Sequence, residues 1–217
     1  LIVRNSIFKN NIATIAGAIM MGGRSSHCVV ESSEFLGNRA GGSSWSSAGA
    51  IYAGSTSRLP HDLTIANSIF IGNSAENHTG GAIEASTRTA TSNCVFIGNQ
   101  AKEGSIIYIA KDVLGNSLTP RLSSSPTLSS CIVVSSDSGS PFQSSSGPYS
   151  ESNVSNLITN QIQSVGFTRI PNHGGDGFGD DPRTPDIDES LNDDYGDLRL
   201  LPGSPAIDAG GKTKLPR

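Results

Sequence analysis

The sequence predicts an all-β fold: a right-handed parallel β-helix of about five coils, followed by an irregular C-terminal cap. Three observations predict it. A gapless eleven-residue block recurs at Leu1–Asn11, Cys28–Asn38, Leu63–Asn73 and Thr89–Asn99. A second short signal follows each block: Gly17-Ala18-Ile19, Gly49-Ala50-Ile51, Gly80-Gly81-Ala82-Ile83 and a degraded Ser105-Ile106-Ile107. Within the blocks apolar residues alternate with polar ones, as at Leu63, Ile65 and Phe70, which is strand and not helix periodicity.

Each block ends in Phe-x-x-Asn, at Phe8/Asn11, Phe35/Asn38, Phe70/Asn73 and Phe96/Asn99. The Phe-to-Phe spacings are 27, 35 and 26 residues, a period that belongs to stacked-repeat architectures. The apolar runs are too short for helices and rich in β-branched residues. Three short strands with Asn and Gly at the corners make one coil, and coils stack roughly 4.8 Å apart. The four Phe residues then form one interior stack. Ile19, Ile51, Ile83 and Ile107 form a second. Asn5, Asn67 and Asn93, with Ser32 and Ser130 in the other copies, fall at a corner where amides can bond along the stack. Asn11, Asn38, Asn73 and Asn99 do the same at a second corner, or adopt the left-handed turn that Asn tolerates. A fifth, weaker copy runs through Leu128–Val133. Cys94 and Cys131 share one repeat position with Ser6, Ser33 and Ser68. They are small core residues there, and neighbouring coils also bring their Cα atoms within disulfide range.

Over 217 residues, hydrophobic residues make up 35% and charged residues 16%, both low for a compact globular domain. Gly, Ser, Asn and Thr fill the difference and suit tight turns. A net charge of −4 argues against a nucleic-acid partner. No apolar run approaches the roughly 20 residues of a membrane span. Leu1 opens in mid-pattern without an initiator Met, so the chain is read as a piece of a longer protein. The three cysteines have no metal-ligand spacing.

Residues 1–152 are assigned to the coils with their turn loops, and 153–217 to an acidic Gly-rich loop and capping segment of the same domain. Ser135–Ser152 reads as a Ser/Gly/Pro-rich linker. Val154–Ile158 reads as one more strand. Leu198, Leu200, Ala206 and Ile207 are expected to cover the last coil, with Pro202 and Pro205 blocking further pairing.

Two regions carry candidate chemistry. Asp176, Asp180, Asp181, Asp186 and Asp188 supply hard oxygens at short spacings among glycines, a candidate Ca²⁺ site whose spacing is not that of an EF-hand. Where Ile points inward in the Gly-Ala-Ile strands, Met20, Tyr52, Glu84 and Tyr108 point outward. Tyr52, Glu84 and Tyr108, with Trp45 from the Asn38–Ala48 loop, form a candidate strip for a carbohydrate or protein partner. Glu84 has no acidic neighbour on that strip. The glycine pairs Gly22-Gly23 and Gly41-Gly42 lack the residues that complete a phosphate loop and read as turns.

The paired Phe-x-x-Asn and Gly-Gly-Ala-Ile signals over residues 1–108 resemble the repeats of polymorphic outer-membrane proteins and autotransporter passengers. The segment Asp197-Leu198-Arg199-Leu200-Leu201-Pro202-Gly203-Ser204-Pro205-Ala206-Ile207-Asp208-Ala209-Gly210 is similar to the closing segment of bacterial secreted β-helix proteins of the choice-of-anchor group. Members of that group continue further, which implies for the C-terminus what Leu1 does for the start: a chain truncated at both ends. The resemblance implies a pectate-lyase-like solenoid that is secreted or displayed at the cell surface, outer-membrane associated, and monomeric. It implies an adhesin-like stalk that meets a polysaccharide or a host or cell-surface ligand. The same fold hosts polysaccharide lyases and glycoside hydrolases, so a carbohydrate-active enzyme with its groove along Tyr52–Glu84–Tyr108 is the alternative.

Overall fold

Strands from successive repeats pair side by side in parallel, and the chain is all-β. The computed structural model describes residues 1–22, 27–41, 48–54, 62–85, 88–110, 127–135, 141–144, 147–148, 156–179, 184, 187–207 and 209. Each of the first four repeats gives one strand to each of four sheets. The first sheet holds Ile2–Arg4, His27–Glu31, Asp62–Ala66, Arg88–Ser92 and Thr127–Ser129. The second holds Ile7–Lys9, Glu34–Leu36, Ile69–Ile71, Val95–Ile97, Ile132–Val134 and Leu157–Thr159. The third holds Ile12–Ala13, Arg39–Ala40, Ser74–Thr79 and Gln100–Glu103. The fourth holds Ile19–Met21, Ile51–Ala53, Ile83–Ala85, Ile107–Ile109 and Phe142–Ser144, with Gly147–Pro148 antiparallel at its edge.

Register follows the repeat. Phe8, Phe35, Phe70 and Phe96 pair in line, their rings stacked at 5.0, 4.7 and 4.9 Å with nearly parallel planes. Val133 continues the column. Ile19, Ile51, Ile83 and Ile107 form the aliphatic column, which Phe142 extends. These columns and the inward residues of the first sheet make one buried cluster.

The two Asn columns divide the work differently from the sequence expectation. Asn5, Ser32, Asn67 and Asn93 bond through their backbone N–H groups, and with Ser130 all have φ between 48° and 54°, the left-handed turn between the first and second sheets. The amide ladder is at the other column. Asn11, Asn38 and Asn73 each donate from Nδ2 to the Oδ1 of Asn38, Asn73 and Asn99, at 2.8–2.9 Å. A second ladder follows the first turn. The hydroxyls of Ser6, Ser33 and Ser68 and the thiols of Cys94 and Cys131 each donate to the carbonyl two residues back. Both cysteines are free and buried, and burial raises the Cys94 thiol well above its usual range. The glycine of Gly-Ala-Ile answers to crowding: a Cβ at Gly17, Gly49 or Gly81 would collide with the carbonyl oxygen of the next repeat.

The described residues of the C-terminal segment lie along the flank of the stack. Leu36, Ile71, Ile97 and Val134, outward on the second sheet, pack with Val165, Phe167, Phe178, Leu198, Leu200 and Ala206. Ile207, assigned to the covering set, remains 45% exposed. Within the segment, Phe167–Arg169 pairs antiparallel with Asp197–Leu200. The Ser204 hydroxyl, from the Gly-Ser-Pro-Ala string, donates to the Val165 carbonyl.

The segment reaches the first repeat. Tyr195 donates its hydroxyl to Asn10 Oδ1 (3.0 Å), and Lys9 Nζ sits 5.1 Å from the centre of the Tyr195 ring. Lys9 and Asn10 stand where later repeats carry Leu36-Gly37, Ile71-Gly72 and Ile97-Gly98. So the first repeat departs from the pattern where it meets Tyr195.

Gly72 tests this docking. Its φ is +63°, and a Cβ there would run into the Phe178 side chain. Gly98 has nearly the same φ, +59°, but a Cβ would meet Phe178 only at 3.8 Å. Gly98→Ala should therefore cost only the backbone strain, about 1 kcal/mol. Gly72→Ala adds the clash and should cost about 3 kcal/mol. Equal midpoints in urea unfolding would refute the docking of Phe178 over Gly72.

Candidate functional site

On the outer face of the fourth sheet, Met20, Tyr52, Glu84, Tyr108 and Gln143 stand in register, one per repeat. The strand pairing that stacks the isoleucines inward forces this alignment outward. Met20 is 59% exposed, Tyr52 and Tyr108 are half-buried, and Glu84 is only 7% exposed. Glu84 thus differs from the expected outward carboxylate: it is enclosed between two tyrosines. Trp45 lies outside the described residues.

Two residues that the sequence did not single out complete the site. Thr79 Oγ1 donates to Glu84 Oε2. Gly80, at φ +70°, turns the chain so that Thr79, five residues earlier, comes back over Glu84. Glu103 pairs with Thr79 in the neighbouring strand of the third sheet. Burial raises the Tyr108 hydroxyl, and the charges of Glu103 and Glu84 add to that. Burial also raises Tyr52, helped by Glu84. Thr79 and Glu103 occupy equivalent repeat positions, each just before a glycine, but the residue type differs between repeats, so no recurring signature marked them.

Burial pushes the Glu84 carboxyl up to about 7, against a smaller downward pull from Thr79. The folded state therefore holds this proton more tightly than the unfolded chain does. The stabilisation from the protonated group is fully present below the ordinary value of 4.5 and is lost as pH rises through about 7. A rise of that size is worth on the order of 3 kcal/mol. Glu84→Gln, which keeps an acceptor for Thr79, should flatten the wild-type fall in stability between about pH 4.5 and 7. It should also be the more stable protein at pH 8. Parallel pH profiles of the two proteins in urea melts would refute a buried, neutral Glu84.

The acidic stretch is only partly described. Asp180, Asp181 and Asp186 lie outside the described residues. Asp176 accepts from Asn192 Nδ2 (2.9 Å), and Asp188 accepts from the Ser190 hydroxyl (2.7 Å). Among the described residues no three Asp, Glu, His or Cys side chains gather as a metal site. Nor, among them, is any helix long and apolar enough to cross a membrane. No family model, no curated protein and no solved structure matches the chain, so its functional assignment rests on its own repeats and on the strip they align.

Proposed function

We propose that the four sheets close into a right-handed parallel β-helix that serves as a secreted or cell-surface scaffold, structural and adhesive in role. One observation carries this. The recurring positions are engaged in packing: the Phe and Ile columns, the Asn ladder, the crowded glycines. The outward position of the fourth sheet varies from repeat to repeat, and there the chain places two tyrosines around a carboxyl group. Aromatic rings beside a carboxyl suit a saccharide or a protein ligand at an outer membrane or host surface. Binding of the labelled chain to cell surfaces and immobilised polysaccharides tests this. Tyr52→Ala with Tyr108→Ala should reduce retention at least tenfold. Retention unchanged by that pair, or absent in the wild type, would overturn the reading.

A carbohydrate-active enzyme is the second reading, and the raised pKa of Glu84 favours it. A carboxyl group protonated near neutrality is suited to general acid catalysis. Incubation with acidic and neutral polysaccharides, followed at 235 nm for unsaturated products and by reducing ends, separates the readings. Turnover abolished by Glu84→Gln establishes the enzyme; no turnover leaves the scaffold.

A further inference from the structure

The C-terminal segment does not close fully on the stack. Between it and the edge of the second and third sheets lies a cleft of about 610 Å³, within the range of small-ligand sites. One wall is a polar column in strand register, Arg39, Ser74 and Gln100, from three successive repeats. Ile97 and the glycines Gly72 and Gly98 lie beside it, Phe178 forms the roof, and Gln163 faces from the short helix Ile162–Val165.

Ser74 is the informative residue. It is 8% exposed, and its hydroxyl has no hydrogen-bond partner. Buried hydroxyls are normally satisfied, and an unmade bond is destabilising. The buried Ser33 and Ser68 donate to carbonyls, and Ser105 and Ser135 share a hydrogen bond with each other. A rotation about χ1 redirects a serine hydroxyl at little cost. The Ser74 hydroxyl is thus left over by the fold, on a residue that lines the cleft, and that rotation would turn it toward the cleft.

We propose that this cleft binds a short neutral saccharide. The chemistry of the lining selects that class. The serine hydroxyl and the amides of Gln100 and Gln163 both donate and accept, as a ligand rich in hydroxyls requires. The lining sets two carboxylates, Asp176 and Glu189, against one guanidinium, Arg39, which disfavours an anion. The described residues gather no three metal-binding groups, which disfavours a cation. The cleft is on different sheets from the Tyr52–Glu84–Tyr108 strip, so the proposal stands apart from the reading of that strip.

The test is calorimetry of the full chain with maltotriose, cellotriose and xylotriose, with trigalacturonic acid and a neutral tetrapeptide as comparisons. At least one neutral trisaccharide should bind. Ser74→Ala should weaken it about fivefold, the loss of one hydrogen bond. Gln100→Trp, an exposed position whose larger side chain fills the cleft, should abolish it. Tyr52→Ala should leave it unchanged. Ser74→Ala removes an unsatisfied group, so its melting temperature should equal or exceed that of the wild type, which separates lost binding from lost folding. The proposal is overturned if no neutral trisaccharide binds at millimolar concentration. It is equally overturned if the acidic sugar or the peptide binds more tightly, or if Tyr52→Ala and not Gln100→Trp removes binding.

Discussion

Phe70→Ala is expected to destabilise the fold by about 4 kcal/mol, the middle of the range for a buried aromatic truncated to alanine. Phe70 is fully buried and lies between Phe35 and Phe96, at 4.7 and 4.9 Å. Truncation removes two ring contacts and opens a void between two rigid repeats. Those repeats cannot collapse into the void, because backbone pairing on both sides fixes their spacing. Phe70→Leu keeps most of the volume and should cost clearly less, about 1.5 kcal/mol. Phe8 is only partly buried and has one stacking partner, so Phe8→Ala should fall well below Phe70→Ala. Equilibrium urea unfolding measures all three. Equal losses at Phe8 and Phe70 would contradict a stack whose middle members are the most constrained.

Asn73→Ala should cost a similar amount, about 3–4 kcal/mol, for a different physical reason. The Asn73 Oδ1 accepts from the backbone N–H of Asn38 (3.1 Å) and from its Nδ2 (2.9 Å). Its own Nδ2 donates to the Phe35 carbonyl (2.9 Å) and to Asn99 Oδ1 (2.9 Å). The side chain is fully buried, so alanine leaves these partners unmade and away from water. Asn11 is exposed at the start of the same ladder, where water can replace what is lost. Asn11→Ala should cost no more than about 1 kcal/mol. The same unfolding experiment gives the comparison, and a ladder with equal cost at both positions would refute the burial argument.

The repeat made the stack legible because packing and sequence share one period. Phe35, Phe70 and Phe96 recur because each fills the space above the last. The flank was not legible from that period, although a signal was present. Ile69-Phe70-Ile71 and Val95-Phe96-Ile97 are apolar at three consecutive positions. A strand with one wet face alternates; one covered on both faces does not. Leu36, Ile71 and Ile97 required a cover, and the C-terminal segment supplies it. The Asn5 column was misassigned because Asn suits both an amide ladder and a left-handed turn. Only the observed φ values, shared with Ser32 and Ser130, separate the two. At the site, the register of Tyr52, Glu84 and Tyr108 followed from the isoleucine column. The enclosure of Glu84 did not, because Thr79 reaches it from the third sheet, at a position whose residue type changes between repeats.

The clasp between Tyr195 and Asn10 joins residues 185 positions apart. A stack whose members touch only their neighbours unravels from its ends, one layer at a time. Here a single segment, anchored beside Val134, runs back past Ile97, Ile71 and Leu36 to the first layer. It acts as a tie-rod. Fraying at either end must first detach a strap that is held along the whole flank, so the array should melt as one block and share a pulling load among its layers.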